Sequence, residues 1–144
     1  MKNSIIRIKT RDRGLLKLVL SANEEYLKLL HWKLLFIDGT YDNEQTMLFQ
    51  EKVNSSEYGL VLSLTEIDAL LNCVPDLWDL LLVGQQDKRE PVQKKDSDDI
   101  IFNSSDVVIE YFDCSYWTIA ISNERFVSSV KSNLEKMYEV LPLN

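Results

Sequence analysis

The sequence predicts one α+β domain: a mainly antiparallel sheet with two hairpins, covered by three to four helices that include a long C-terminal helix. The length of 144 residues is that of a single ordinary domain. Hydrophobic residues make up 45% of the chain, with only four glycines and three prolines, which is a globular composition. Strand-like and helix-like patterns alternate irregularly, which favours an antiparallel sheet over a doubly wound parallel one. We therefore expect residues 1–144 to share one core.

The first hairpin is predicted at the N-terminus. In residues 4–10, Ile6 and Ile8 alternate with basic residues, which is the pattern of a strand with one buried face. Residues 11–14 have the composition of a turn. Residues 15–20 are then predicted to return as the second strand.

A helix is predicted over residues 22–33, because Ser21 and Glu24 have the spacing of a capping box and the apolar residues recur at helical intervals. Residues 34–37 form a short apolar run that is either a buried strand or the end of that helix. Residues 42–53 have no decisive pattern.

Three further elements are predicted before the C-terminal third. Residues 60–64 form a short strand, residues 65–74 a helix, and residues 75–82 a second helix, since proline suits the first turn of a helix. Residues 85–99 are almost entirely polar. We expect them to form a mobile loop that can be shortened with little loss of stability.

The C-terminal third has the clearest pattern. Residues 107–112 and 116–122 predict the second hairpin. Asn123 is the expected N-cap of the long C-terminal helix, whose apolar residues recur every three or four positions. Pro142 is expected to end that helix.

One segment resembles an enzyme motif. The run from Leu34 to Thr40 resembles the first motif of haloacid-dehalogenase-like phosphatases, an apolar strand that ends in Asp-x-Asp-Gly-Thr. In those enzymes the first Asp is the nucleophile and the second is the general acid. Phe36 takes the nucleophile's position here and has no group that attacks phosphorus. The activity is therefore not expected in this chain.

We expect no catalytic residue, metal or cofactor. The single histidine, His31, has no nucleophile or orienting carboxylate three or four residues away on the predicted helix. Cys73 and Cys114 lack metal-ligand spacing and are expected to be reduced. Residues 96–99 begin like a calcium loop but lack its later glycine and glutamate. The glycines are too scattered for a phosphate-binding loop.

No membrane contact is expected either. The N-terminal residues contain no apolar run of signal-peptide length, and charges and a proline interrupt the most apolar stretch, residues 59–84. We expect a cytoplasmic protein.

The net charge of −7 is unevenly distributed. Residues 1–33 hold eight basic against three acidic side chains, whereas residues 38–79 hold nine carboxylates against Lys52 alone. Such a field attracts a partner of opposite sign and raises the association rate; the alternative is acidity that only keeps the protein soluble. Trp78 lies between two carboxylates, and tryptophan is enriched at interface hot spots. The predicted partner-binding residues are Asp38, Asp42, Glu44, Glu66, Asp68, Asp76, Trp78 and Asp79.

The basic N-terminal residues suggest a second surface. They share parity along the chain and would line one face of the predicted hairpin, where they could contact nucleic-acid phosphates or an acidic protein. No aromatic residues interleave them for base stacking. We therefore favour a solvated face, whose charges also prevent edge-to-edge aggregation, over contact with nucleic acid or with an acidic protein. These residues are Arg7, Lys9, Arg11, Arg13 and Lys17.

A small acidic domain without catalytic residues suits the masking of a basic site, such as the phosphate-binding surface of a nuclease. In size, acidity and α+β pattern over the whole chain, the sequence resembles the immunity proteins of bacterial polymorphic toxin systems, including contact-dependent growth inhibition. This resemblance implies a non-catalytic protein that neutralises a basic toxin domain. The alternatives are an adaptor or regulatory subunit that binds by apolar faces, and a nucleic-acid binder that uses the basic hairpin.

A single core predicts a monomer or weak dimer that unfolds in one cooperative transition. Scanning calorimetry should give one peak with equal calorimetric and van't Hoff enthalpies. Two well-separated peaks would show instead that the chain holds two domains.

Overall fold

The computed structural model describes residues 4–87 and 89–142 and has a mixed α+β fold. The strands are β1 (Ser4–Lys9), β2 (His31–Gly39), β3 (Leu60–Val61), β4 (Leu77–Gln85), β5 (Val107–Phe112) and β6 (Tyr116–Ile121). The helices are α1 (Gly14–Leu20), α2 (Glu24–Leu27), α3 (Glu44–Ser55), α4 (Leu64–Cys73), α5 (Asp98–Ser104) and α6 (Glu124–Glu135). The strands form one sheet in the order β1-β6-β5-β4-β2-β3, and every neighbouring pair is antiparallel.

The predicted N-terminal hairpin is wrong. Residues 15–20 belong to α1, and β1 pairs instead with β6, with Ile6 opposite Ile119. Leu15 and Leu16 are both buried. A strand with one buried face cannot bury two successive side chains, because they point to opposite faces, whereas a helix includes both in one broad stripe.

The helix predicted over residues 22–33 is cut short by β2. α2 covers one turn only, and its N-cap is Asn23 rather than Ser21. β2 begins at His31, so the ambiguous apolar run that follows is a strand. Trp32 is buried, and its indole N–H donates to a carbonyl oxygen of α2 at 2.9 Å. Burial within the sheet outweighs the local helical spacing here.

The helix predicted over residues 75–82 is also wrong. β4 occupies most of this segment and lies between β2 and β5. Leu80 and Leu82 belong to the main core, whereas Val83 belongs to a cluster on the opposite face of the sheet. A strand buried on both faces is apolar at most positions, so its pattern does not distinguish it from a helix.

The undecided residues 42–53 lie mostly in α3, and the helix predicted over 65–74 corresponds to α4. α4 begins one residue earlier than predicted because Ser63 caps it. The backbone N–H of Glu66 donates to Ser63 Oγ at 3.1 Å, and Glu66 Oε1 accepts from the Ser63 N–H at 3.0 Å. The predicted strand over 60–64 shortens to β3.

The C-terminal hairpin of β5 and β6 is confirmed, as is Asn123 as the N-cap of α6. Its side chain accepts hydrogen bonds from two N–H groups in the first turn. α6 ends at Glu135, earlier than the predicted stop at Pro142. The chain then returns to the sheet, where Val140 forms an isolated bridge with Ile8.

The sheet separates a large core from a small one. On the main face, α1, α4 and α6 cover the larger cluster, which includes Trp117 and Phe126. On the second face, α5 and the segment before it cover part of the sheet. The buried residues of that cluster are Leu35, Val83, Val92, Ile101, Val108 and Ala120. The rest of the second face has no covering element among the described residues.

The polar segment over residues 85–99 is attached to the fold at several points. The Gln85 side-chain amide donates to the carbonyl oxygens of Glu90 at 2.9 Å and Ser104 at 2.8 Å. Val92 is 1% exposed. Any dispensable part of the segment therefore excludes Gln85 and Val92, and the mobility of the remainder stays a prediction.

Side-chain amides of α3 complete the outer edge of β2, because β3 pairs with only two residues of that strand. Asn54 Nδ2 donates to the Ile37 carbonyl oxygen at 2.7 Å, and Asn54 Oδ1 accepts the Ile37 N–H at 3.1 Å. Gln50 Oε1 accepts the N–H of Gly39 at 3.3 Å. These amides satisfy backbone groups that would otherwise lack partners away from water.

Replacing Asn54 by alanine is expected to lower the free energy of unfolding by at least about 2 kcal/mol, because two backbone groups of Ile37 lose their partners at roughly 1–3 kcal/mol each. Asn72→Ala, on the exposed side of α4, is the matched control and should change stability by less than about 0.5 kcal/mol. Urea unfolding measures both variants. Equal effects would contradict the structural role of the Asn54 amide.

Candidate partner-binding surface

The uncovered part of the second sheet face is a surface that crosses five strands, and we name it the open sheet face. The strand register arranges it in two rows. In the first row, Lys9 pairs with Tyr116 and Tyr116 with Phe112. The row continues to the pair of Asp79 and Asp38, because the N–H of Asp113, next to Phe112, donates to Asp79. The second row runs from Arg7 through Thr118, Glu110 and Leu81 to Phe36. Basic side chains therefore lie at the β1 side and carboxylates toward β4 and β2.

An aromatic pair occupies the centre of the first row. The rings of Phe112 and Tyr116 are stacked, with centroids 5.4 Å apart and an interplanar angle of 22°. The Lys9 ammonium lies 5.4 Å from the centroid of the Tyr116 ring. Phe112 is 38% exposed. Exposed aromatic rings of this kind are enriched at the centres of protein interfaces, where few residues provide most of the affinity.

Two carboxylates lie directly opposite each other at the acidic end of the first row. Asp38 on β2 is the register partner of Asp79 on β4, and like charges in this arrangement destabilise a sheet. Asp79 Oδ1 accepts the backbone N–H of Asp113 at 3.2 Å. Among residues 4–87 and 89–142, no ion pair includes either of these two carboxylates. No cation at ion-pair distance therefore offsets their repulsion within this part of the chain.

The second row contains Glu110, which is not among the partner-binding residues predicted from the sequence. It is partly buried, and its neighbour Thr118 is 3% exposed. Burial raises the pKa of the Glu110 carboxyl above its ordinary value, and the nearby charge of Asp98 adds to this shift. Arg7 lowers the pKa, but less than burial raises it. The only signal in the sequence was a single charge within an apolar strand, and its meaning depends on the strand register.

The predicted partner-binding residues are spread over several surfaces. Asp38 and Asp79 lie on the open sheet face. Asp42 and Glu44 lie where β2 leads into α3, and Glu44 belongs to the first turn of that helix. A negative charge at this position stabilises the helix itself.

The remaining predicted residues lie at the end of β4 and on α4. Asp76 and Trp78 border a cleft of about 520 Å³ at the ends of β4 and β5, and Trp78 is 42% exposed. Glu66 and Asp68 lie on α4, which covers the main face of the sheet. The carboxylate of Glu66 is held in the helix cap, so its presence has a structural cause.

The five basic N-terminal residues do not share one face, because the hairpin that would have aligned them is absent. Arg7 and Lys9 lie on the open sheet face, Arg11 and Arg13 line the cleft, and Lys17 lies on α1. The Arg13 guanidinium donates to carbonyl oxygens at the end of α4, a place where positive charge is favourable.

Residues with metal-binding or catalytic potential lie elsewhere. His31 lies on β2, not on a helix, and its imidazole contacts the carboxylate of Asp87. Cys73 and Cys114 are both free thiols. In the described residues, no three His, Cys, Asp or Glu side chains form a group that could hold a metal ion. The described helices are all too short or too polar to cross a bilayer.

Comparisons with known proteins add no relative to this description. No protein-family model, curated protein or solved structure matches the chain.

Asp38→Asn is expected to raise the free energy of unfolding by about 0.5 kcal/mol at low salt, because it removes the repulsion from Asp79. The gain should decrease as added salt screens the two charges. Glu44→Gln is the control and should lower stability slightly, since it removes a favourable charge from the start of α3. Urea unfolding at two salt concentrations measures both. A clear loss of stability in Asp38→Asn would mean that this carboxylate has a structural partner.

Proposed function

We propose that this protein is a non-catalytic binding protein that neutralises a basic protein partner, and specifically an immunity protein that inhibits a nuclease-type toxin in bacteria. The observation that supports this best is the open sheet face. It combines exposed aromatic rings with opposed carboxylates that have no cationic partner among the described residues. The proposal implies a cytoplasmic location and assigns no catalytic residue.

The opposed pair of Asp38 and Asp79 supports a binding role because its repulsion has a cost that no cation among the described residues offsets, although Asp79 also accepts the Asp113 N–H. A basic partner would remove that cost by placing a cation between the two carboxylates. The aromatic pair of Phe112 and Tyr116 would supply apolar contact area next to the charges. Binding energy and charge complementarity therefore come from adjacent positions in one row.

The proposal that the partner is a nuclease rests on charge. Proteins that bind nucleic acid hold its phosphates with Lys and Arg side chains. An inhibitor that covers such a surface needs carboxylates at its contact face, and electrostatic complementarity of this kind accelerates association. The carboxylates of the open sheet face fit this requirement better than the scattered ones on α3 and α4.

Two specific observations favour other functions. A groove of about 330 Å³ between α3 and α4, lined in part by Phe49, Ala69 and Leu70, would suit an adaptor that binds by apolar contact. The ring pair next to Lys9 and Arg7 has the combination of stacking and charge that single-strand nucleic-acid binders use. The carboxylates in the same two rows would repel phosphates, so we rank nucleic acid below a basic protein.

The test uses the partner that co-purifies from the native cells, prepared again as a pure recombinant protein. Asp38→Asn and Asp79→Asn should each slow its association about tenfold at low salt, and the effect should fade as salt is added, because charges at the rim of an interface act mainly on the on-rate. Asp68→Asn on α4 is the matched control and should leave the rate unchanged. Stopped-flow or surface-based kinetics give the rates. A stoichiometric nuclease-inhibition assay tests the identity of the partner.

Three outcomes would contradict the proposal. The purified partner is acidic, or Asp68→Asn weakens binding more than the two changes on the open sheet face, or the pure protein binds single-stranded nucleic acid and no protein. Retention on a nucleic-acid column tests the last outcome directly.

A further inference from the structure

We propose that Glu110 is the anchor of the open sheet face and receives an arginine guanidinium from the basic partner. This inference rests on the proposed function and specifies which side chain of the partner the surface recognises.

The position of Glu110 distinguishes it from the other carboxylates of the surface. It lies in the second row, between Thr118 on β6 and Leu81 on β4. Thr118 is 3% exposed, Leu81 packs partly against the smaller core, and the first row adds the ring of Phe112. Glu110 is therefore partly withdrawn from water next to apolar groups near the middle of the sheet. Asp38 and Asp79 are also partly buried, but they lie at the β2 end of the first row.

Among the described residues, no basic group lies at ion-pair distance from Glu110 to offset the partial burial of its carboxylate. The charged groups that face Glu110 are Arg7 on β1, Asp79 on β4 and Asp98 at the start of α5. Two of these three are carboxylates, and Arg7 belongs to none of the ion pairs of the described chain. A partly buried carboxylate without a cation gains most when a partner supplies one.

The apolar and aromatic surroundings favour a guanidinium over an ammonium group. A guanidinium is planar, more weakly hydrated and able to bind a carboxylate through two parallel hydrogen bonds while its face stacks on an aromatic ring. Phe112 lies two residues from Glu110 on the same strand and the same face, whereas Phe36 lies beyond Leu81 in the second row. An ammonium group would keep more of its hydration and would use the aromatic surface less.

The position of Glu110 also determines which rate it controls. Charges at the rim of an interface act mainly on association, whereas a hydrogen-bonded charge pair that is buried at its centre acts on dissociation. Glu110→Gln should therefore raise the dissociation rate of the complex at least tenfold and change the association rate less than twofold. Asp38→Asn should do the reverse.

The pH dependence follows from the same contacts. In the free protein, burial raises the pKa of Glu110, so the carboxyl is protonated at a higher pH than an exposed one. A bound guanidinium favours the ionised form and lowers this pKa, so binding releases a proton when the pH lies between the two values. The affinity should therefore fall as the pH is lowered through the raised pKa of free Glu110. Glu110→Gln should abolish this part of the pH dependence.

A second measurement does not need the partner. In the full-length protein, the side-chain carboxyl ¹³C resonance of Glu110 is followed by NMR during titration with N-acetylarginine amide, and separately with N-acetyllysine amide. The arginine derivative should shift this resonance at lower concentration than the lysine derivative does. Glu110→Asp, which keeps the charge but shortens the side chain, should weaken the response.

The possible failures are distinguishable. If the partner binds and Asp38→Asn slows association, but Glu110→Gln leaves dissociation unchanged, the anchor is wrong and the proposed function stands. If both derivatives shift the Glu110 resonance equally, the preference for arginine is wrong. If no basic partner binds the open sheet face, both proposals fail. An unfolding curve shows whether the Glu110→Gln variant is folded. The variant should be at least as stable as the parent protein, because it no longer holds an ionised carboxylate in a partly buried position.

Discussion

The pairing of the first strand with the last is the contact on which the described architecture depends. β1 joins β6 at one edge of the sheet, so segments from near the start and the end of the described chain pair with each other, with Ile8 opposite Trp117. This pairing prevents the local hairpin with residues 15–20 and leaves them to form α1, which packs against α6. It also brings the basic side chains of β1 into the same two rows as Glu110 and the aromatic pair. Without it the open sheet face would have no basic side.

The elements that the sequence predicts correctly are those whose determinants are local. The hairpin of β5 and β6 alternates large and small residues around a short turn, and Asn123 marks the start of α6. The sequence does not mark β2 and β4 as strands, because each is apolar on both faces and so lacks the alternation of apolar and polar residues. Their identity as strands depends on each other and on the smaller core, which no single segment of sequence contains.

The candidate site shows the same division. Charge density selected Asp38 and Asp79, because they lie within a long acidic stretch, and the structure places both on the open sheet face. It also selected Glu66, whose carboxylate completes a helix cap, and Asp68, which lies on α4, away from the open sheet face. Charge density did not select Glu110, because its proposed role depends on strand register and partial burial. A surface assembled from five strands cannot be read from one stretch of the chain.

The groups that cover the two edges of the sheet affect the tendency of the protein to self-associate. At the β2 side, carboxamide groups of α3 occupy positions that an added strand would need, and β3 is only two residues long. At the β1 side, the Leu141 N–H donates to the Arg7 carbonyl oxygen at 2.8 Å, next to the bridge formed by Val140. Both edges therefore disfavour pairing with a strand of another chain, the contact by which fibrils grow. Copies of this chain at high concentration are therefore hindered from pairing strand to strand through these edges, while the open sheet face remains accessible.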